Sequence, residues 1–341
     1  MSAPAKTVVV APAWVGDVVM AQSLLMLASA ADRAPVDVIA PPWAPPLLNR
    51  MPQVASVHVL RAGHGELGLG TRLRLGRQLR DHAYQRAIIV PRSLKSAIVP
   101  WLARIPVRIG FNSELRAALL TEVRHLDKNR LSRTVDRFAS LALPADADVV
   151  TPPRPQLQTD AANQQRLLAT LGLTAAEPVV ALMPGAAFGP AKMWPLEHFC
   201  ALARQLAATG VEIWILGAAG EHPAGEAIAA AAGRRAHNLC GKTRLDDTVD
   251  LLALSRAAVS NDSGLMHVAA AAGTYVIGLF GSTPPAMTPP LTELSDVHFL
   301  GLDCSPCKAR QCPLGHLNCL RQILPEQVCV TVERALARTP A

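Results

Sequence analysis

Two doubly wound α/β domains, each a parallel sheet covered by helices, are predicted by three observations. The chain has 341 residues, more than one ordinary hydrophobic core accommodates. Short aliphatic or β-branched runs recur, each stopped by Pro or Gly and followed by a helical stretch. The segment Pro144 to Pro155 carries four prolines among small and acidic residues, and it divides the chain into halves of the same rhythm.

In chain order, Thr7 to Ala11 reads as a strand broken by Pro12 and Gly16, ahead of a helix from Val18 to about Ala31. Val36 to Ala40 is a second strand, closed by Pro41-Pro42. Ala87 to Val90 is a third, followed by Pro91-Arg92-Ser93 and a helix to about Ala103, and Pro106 to Phe111 is a fourth. Beyond the linker, Pro178 to Met183 is a strand ended by Pro184-Gly185, with a helix starting near Pro195. Val211 to Leu216, Ala257 to Ser260 and Val276 to Phe280 complete the second set. Alternating strands and helices imply parallel pairing with both sheet faces covered. The expected domains are residues 1–155 and 156–325. A last helix, residues 326–341, is expected to pack back on the first domain. Two such domains facing each other form a cleft at the carboxyl ends of their strands, where ligands bind in this class.

Hydrophobic residues make up 50% of the chain, enough for substantial burial, while aromatics at 4% argue against base-stacking platforms. The net charge of +7 is uneven: between Arg61 and Arg137 there are 16 Lys/Arg against 6 Asp/Glu. That excess reads either as solvated helix faces or as a surface for an anionic partner. No uninterrupted run of about 18 apolar residues occurs, so no membrane span is expected. Lys6, the apolar stretch after it and Ala28-Ser29-Ala30 imitate a secretory signal, but Asp17 interrupts the apolar part. The stretch is therefore read as structure and the protein as cytoplasmic.

The richest motif is Asn261-Asp262-Ser263-Gly264-Leu265-Met266-His267-Val268, which follows a strand and leads into a run of alanines. Strand, turn and helix in that order expose the N–H groups of Ser263, Gly264 and Leu265 at a helix start, which suits an anion. Asp262 would repel a phosphate, so it caps the turn or binds a hydroxyl. The plainer reading is an ordinary capped helix. In the first strand-end loop, Pro12-Ala13-Trp14-Val15-Gly16-Asp17, Asp17 either caps the helix or acts as a general base kept ionised by the helix dipole. Lys192, in the glycine-rich loop Pro184 to Pro195, is placed to meet a phosphate as a point charge or else is a solvated lysine. Glu221 closes Gly217-Ala218-Ala219-Gly220-Glu221, where a carboxylate can hold two ribose hydroxyls. Neither a dinucleotide G-x-G-x-x-G nor a P-loop Gly-Lys-Ser/Thr is present at these loops.

Three segments together resemble the ADP-heptose:lipopolysaccharide heptosyltransferases. They are Trp14-Val15-Gly16-Asp17, Gly189-Pro190-Ala191-Lys192-Met193-Trp194-Pro195 and Asn261 to Ala270. Further similarity lies in Ala40-Pro41-Pro42-Trp43, Arg50-Met51-Pro52, Gly63-His64-Gly65 and Leu94-Lys95-Ser96-Ala97, so the likeness runs over nearly the whole chain. It is strongest to the type II enzymes, with types I and III as the alternative. The resemblance implies a GT-B fold of two Rossmann-like domains, the first for the acceptor and the second for ADP-heptose. It implies inverting transfer of L-glycero-D-manno-heptose to the first heptose of the lipopolysaccharide inner core. Carried over residue by residue, the catalytic base falls on Asp17. Donor contacts fall on Lys192, Glu221, Asp262, Ser263, Gly264, Leu265 and His267, with Thr283 of Gly281-Ser282-Thr283 added as a phosphate donor. Acceptor contacts are assigned to Gly16, Arg92 and Lys95, with Arg72 and Arg116 as further candidates for its anionic groups. No cofactor is expected as required, and no Asp-x-Asp motif in the strand-end loops decides for or against Mg²⁺. The expected state is a monomer at the cytoplasmic face of the inner membrane, with no nucleic-acid partner.

Cys304, Cys307, Cys312 and Cys319 form C-x₂-C-x₄-C-x₆-C beside His316. The spacing leaves open a structural metal, reduced thiols, an Fe–S cluster or a redox pair. Two other classes compete with a transferase. One is a nucleic-acid binder using the basic half and a Cys₄ knuckle, disfavoured by the scarcity of aromatics. The other is a nicotinamide oxidoreductase, disfavoured by the missing fingerprint.

Overall fold

The computed structural model describes residues 6–62, 66–148 and 151–338, and Gly63-His64-Gly65 lies outside the described residues. The chain divides into two compact units, Met1–Pro155 and Gln156–Ala341.

In the first unit the described elements are β1 (Thr7–Val10), α1 (Val15–Asp32), β2 (Val36–Ala40), α2 (Pro45–Leu48), β3 (Val54–Val59), α3 (Leu69–Gln78), β4 (Arg86–Ile89), α4 (Leu94–Leu102), β5 (Val107–Phe111), β6 (Glu122–Arg124) and α5 (Thr134–Ser140). The strands form one parallel sheet in the order β3-β2-β1-β4-β5-β6. The central strands are continuous apolar runs because helices cover both faces. By length and composition α1 is apolar enough to cross a membrane, which the sequence reading does not expect. Val18, Val19, Leu24, Leu25 and Ala28 are buried within this unit, so its apolar character matches that of a core helix.

The second unit contains α6 (Ala161–Leu171), β7 (Val179–Met183), α7 (Leu196–Ala208), β8 (Glu212–Ile215), α8 (His222–Ala232), β9 (Ala236–Asn238), α9 (Leu245–Leu254), β10 (Ala257–Asn261), α10 (Gly264–Ala271), β11 (Tyr275–Leu279), β12 (Ser295–His298), α11 (Asn318–Arg321) and α12 (Pro325–Ala337). Its sheet, also parallel, runs β12-β11-β10-β7-β8-β9. Whereas the sequence reading sets the final helix apart, α12 is part of this unit's core. Val328, Val332 and Ala335 recur at helical spacing and pack with Phe199 of α7 and with β10 and β11.

Both strand orders reverse at the middle of the sheet, between β1 and β4 in the first unit and between β7 and β10 in the second. At such a point adjacent strands send their connections to opposite faces, which leaves an opening at the carboxyl edge.

Candidate functional site

In the second unit the loops after β7 and β10 flank this opening. Asn261, the last residue of β10, joins them: its Nδ2 donates to Pro184 O at 2.7 Å and its Oδ1 accepts from Trp194 N at 2.9 Å. One buried amide thus holds both ends of the glycine-rich loop. Trp194 is itself buried, and its indole N–H donates to Ile323 O at 2.9 Å. Within this frame Lys192 Nζ lies 2.5 Å from Asp262 Oδ2, and the Thr283 hydroxyl donates to the same oxygen. The structure therefore brings together Lys192, Asp262 and Thr283, from three separate loops. Asp262 does not cap a helix here; its carboxylate is buried and bound by the lysine. Lys192 Nζ also sits 4.9 Å from the Phe188 ring centroid, and Arg310 lies 5.4 Å from that centroid.

Ser263 occupies the N-cap of α10 in extended backbone conformation, and Gly264 and Leu265 form its first turn. The Ser263 side chain makes no capping bond and instead pairs with Ser260 Oγ at 3.2 Å. His267 is buried one turn on, and its Nδ1 has no partner. Burial pushes the imidazole down to about 4, with Asp262 pulling the other way and Lys192 adding to the depression. The unfolded chain protonates this histidine near pH 6.5, before the folded one does. Stability is therefore lost as pH falls from 6.5 towards 4, at about 1.4 kcal/mol per unit. Unfolding at pH 7 and pH 4.5 should show wild type losing about 2–3 kcal/mol more than His267→Gln.

Glu221 lies at the end of the β8 connection, where its Oε2 accepts from Ala218 N at 2.5 Å. The carboxylate fills a hollow between Gly185 and Gly217: a Cβ on either glycine would overlap it. The ends of β7 and β8 thus stay bare so that an acid can stand between them.

The cysteine-bearing loop is fastened to these same loops. Arg310 O accepts from Ala191 N at 3.1 Å, Lys308 N donates to Ser282 O at 2.6 Å, and Ser305 Oγ donates to Gly281 O at 2.6 Å. Cys304, Cys307, Cys312 and Cys319 are free thiols. The backbone N–H groups of Leu317, Leu314, Gly315 and His316 hold the Cys312 thiol below its usual range. Burial, followed by the neighbouring Cys312, Cys304 and Cys307, raises Cys319. Among the described residues, no three of these four sulfurs lie within 4.8 Å of one another.

In the first unit, Asp17 is the third residue of α1, whose N-cap is the half-exposed Trp14. It is thus a first-turn acid near the positive end of the dipole and does not occupy the capping position. Gly16 precedes it in the same turn, at the carboxyl end of β1. Arg92 is exposed in the loop after β4, and Lys95 follows in α4 with its Nζ 3.2 Å from Glu66 O. The loops after β1 and β4 are the two that flank this sheet's reversal. Arg72 and Arg116 are buried and committed internally. Arg72 donates to Leu67 O and Lys95 O, and Arg116 to Phe111 O, Pro91 O and Ser96 Oγ. Burial and the nearby Arg92 push Arg116 down to about 10. Of the four cations considered for the acceptor, Arg92 and Lys95 remain nearer the surface.

Sequence reasoning assigns no role to Asn261, Phe188 or Arg310. Asn261 stands inside the quoted motif, but the signal for its clasp is the conjunction of two distant loops, which no local pattern carries.

The family model of glycosyltransferase family 9 (heptosyltransferase) matches residues 72–318. The chain is 39% identical over 334 residues to lipopolysaccharide heptosyltransferase 2 of Salmonella typhimurium, covering 95% of this chain and 96% of that one. It is 38% identical over 347 residues to the Escherichia coli K12 protein of the same name, covering 98% and 100%. The solved structure of E. coli ADP-heptose lipopolysaccharide heptosyltransferase II superposes with a TM-score of 0.88 at 37% identity, over 97% of this chain and 98% of that one.

Proposed function

This chain belongs to glycosyltransferase family 9, the heptosyltransferases, and from that premise we propose that Asp17 is the base that activates the acceptor sugar for attack on ADP-heptose. The enzyme is a lipopolysaccharide heptosyltransferase of the type II kind. Its donor is ADP-heptose and its acceptor the first heptose of the inner core. Type I or type III acceptor use is the alternative.

The observation that carries the donor reading is the Lys192–Asp262–Thr283 set beside the start of α10. A diphosphate entering there meets an ammonium group and the leading N–H groups of a helix. Asp262 holds the ammonium in place before the ligand arrives and offers its second oxygen to a hydroxyl. Glu221, between its two glycines, takes the ribose hydroxyls of the ADP moiety. His267 is a buried neighbour of this set, so its role is to shape the helix start; it does not carry charge to the phosphate.

Transfer proceeds by direct displacement with inversion. Asp17 accepts the proton of the acceptor hydroxyl as its oxygen bonds to the anomeric carbon, and the bond from that carbon to the diphosphate oxygen breaks. Negative charge grows on departing ADP, where Lys192 and the α10 amides stabilise it most at the transition state. Arg92 and Lys95 attract the anionic groups of the acceptor. Such an acceptor is an amphiphile, and the working place proposed for the enzyme is the cytoplasmic face of the inner membrane, as a peripheral protein.

The test is ADP release from ADP-heptose with purified inner-core acceptors. Release that depends on a mono-heptosylated acceptor is expected. Turnover only with a heptose-free acceptor would reassign the type, and no release with either would overturn the reading.

A further inference from the structure

Away from the strand-end loops, three ligating side chains converge beside the β2–β3 pair of the first unit's sheet. Asp37 is the second residue of β2, His58 is the fifth of β3, and His82 lies in the turn leading to β4. One ligand atom from each lies within 4.8 Å of the others, the only such group of three among the described residues. Asp37 Oδ2 and His58 Nε2 are 4.0 Å apart, and the two imidazoles meet edge to face with centroids 4.9 Å apart. We propose that Asp37, His58 and His82 bind a divalent transition ion of the Zn²⁺ type, tying the edge strand β3 to β2 and to the β4 turn.

The chemistry of the donors selects this class. Two imidazoles and one carboxylate suit a borderline ion, whereas Ca²⁺ and Mg²⁺ favour all-oxygen sets. Zinc bonds of about 2.0–2.2 Å place tetrahedral donors roughly 3.4 Å apart, so the three groups need only a small contraction. Surrounding groups already orient the carboxylate. Ser56 sits opposite Asp37 in the ladder, and its Oγ donates to Asp37 Oδ1 at 2.6 Å. The Tyr84 hydroxyl donates to Asp37 Oδ2 at 2.5 Å and stands 2.7 Å from His58 Nε2 and 3.5 Å from His82 Nδ1. This hydroxyl stands among the three ligand atoms, so an ion entering there would displace it or take it as a fourth ligand. Lys6 Nζ, 5.1 Å from the Tyr84 ring centroid, is a cation that disfavours the ion.

Asp37, His58 and His82 take no part in the proposed transfer, so metal binding is measured independently of activity. The full chain, stripped with chelator, is titrated with Co²⁺ and followed by visible absorption, and Zn²⁺ is then tested for displacement. Expected is a stoichiometric nitrogen–oxygen d–d spectrum without thiolate charge transfer, together with a higher melting temperature in Zn²⁺. His82→Ala and His58→Gln, each checked as folded by circular dichroism, should weaken this binding by at least about 100-fold. Absence of binding would overturn the site. So would binding that survives both substitutions, or a spectrum dominated by thiolate charge transfer, which would put the ion on Cys304, Cys307, Cys312 or Cys319.

Discussion

Asp17→Ala should lower kcat for heptosyl transfer by about 10²–10⁴, the usual worth of a positioned general base. Binding of ADP-heptose should be unchanged, because the donor contacts proposed above lie on loops of the second unit. Asp17→Asn separates charge from shape: it keeps the size of the side chain and one acceptor oxygen but cannot take up the proton. It should be as slow as the alanine variant. Asp17 stands in the first turn of α1 and not at its N-cap position, which Trp14 occupies. Unfolding curves close to wild type beside a collapse in kcat would identify a chemical role. A kcat within threefold of wild type in the asparagine variant would remove Asp17 as the base.

Lys192→Met carries the second large effect, and it falls on stability as well as rate. The lysine and Asp262 are both mostly buried, with side chains 13% and 5% exposed. Removing one partner leaves a buried carboxylate sharing only the Thr283 hydroxyl, a change that costs about 3–5 kcal/mol. If Lys192 meets the leaving diphosphate as proposed, its loss should cost a further 10²–10³ or so in kcat, with a smaller change in KM. Adding Asp262→Asn to Lys192→Met separates the two effects. The double variant no longer buries an unpaired charge, so stability should return towards wild type while transfer stays slow. Recovery of both together would mean that Lys192 serves the fold alone.

How far the sequence could be read depends on where each strand sits. Aliphatic runs mark β1, β2, β4 and β5 in one sheet and β7, β8, β10 and β11 in the other, within about two residues of their observed bounds. The same criterion passes over β3, β6, β9 and β12, and these are the four sheet edges. An edge strand such as Val54–Val59 or Ser295–His298 is partly exposed and includes polar residues, so no continuous apolar run announces it. The site divides along similar lines. Lys192, Asp262 and Thr283 stand out because they follow strand ends, where a parallel sheet presents its loops. That they share one carboxylate oxygen is a tertiary fact. Arg72 and Arg116 mislead for the opposite reason: composition presents them as surface cations, while each is consumed by carbonyls of its own unit.

The fastening of residues 304–310 to Gly281, Ser282 and Ala191 bears on how this protein can be divided. A shortened version ending after β12 would keep every strand of the second sheet. It would lose the brace behind the loops that carry Lys192 and Thr283, and with α12 much of the apolar cover over α7. The C-terminal segment is therefore not a detachable appendage, and chimaeras between relatives should place their junction near Pro155, leaving the second unit whole.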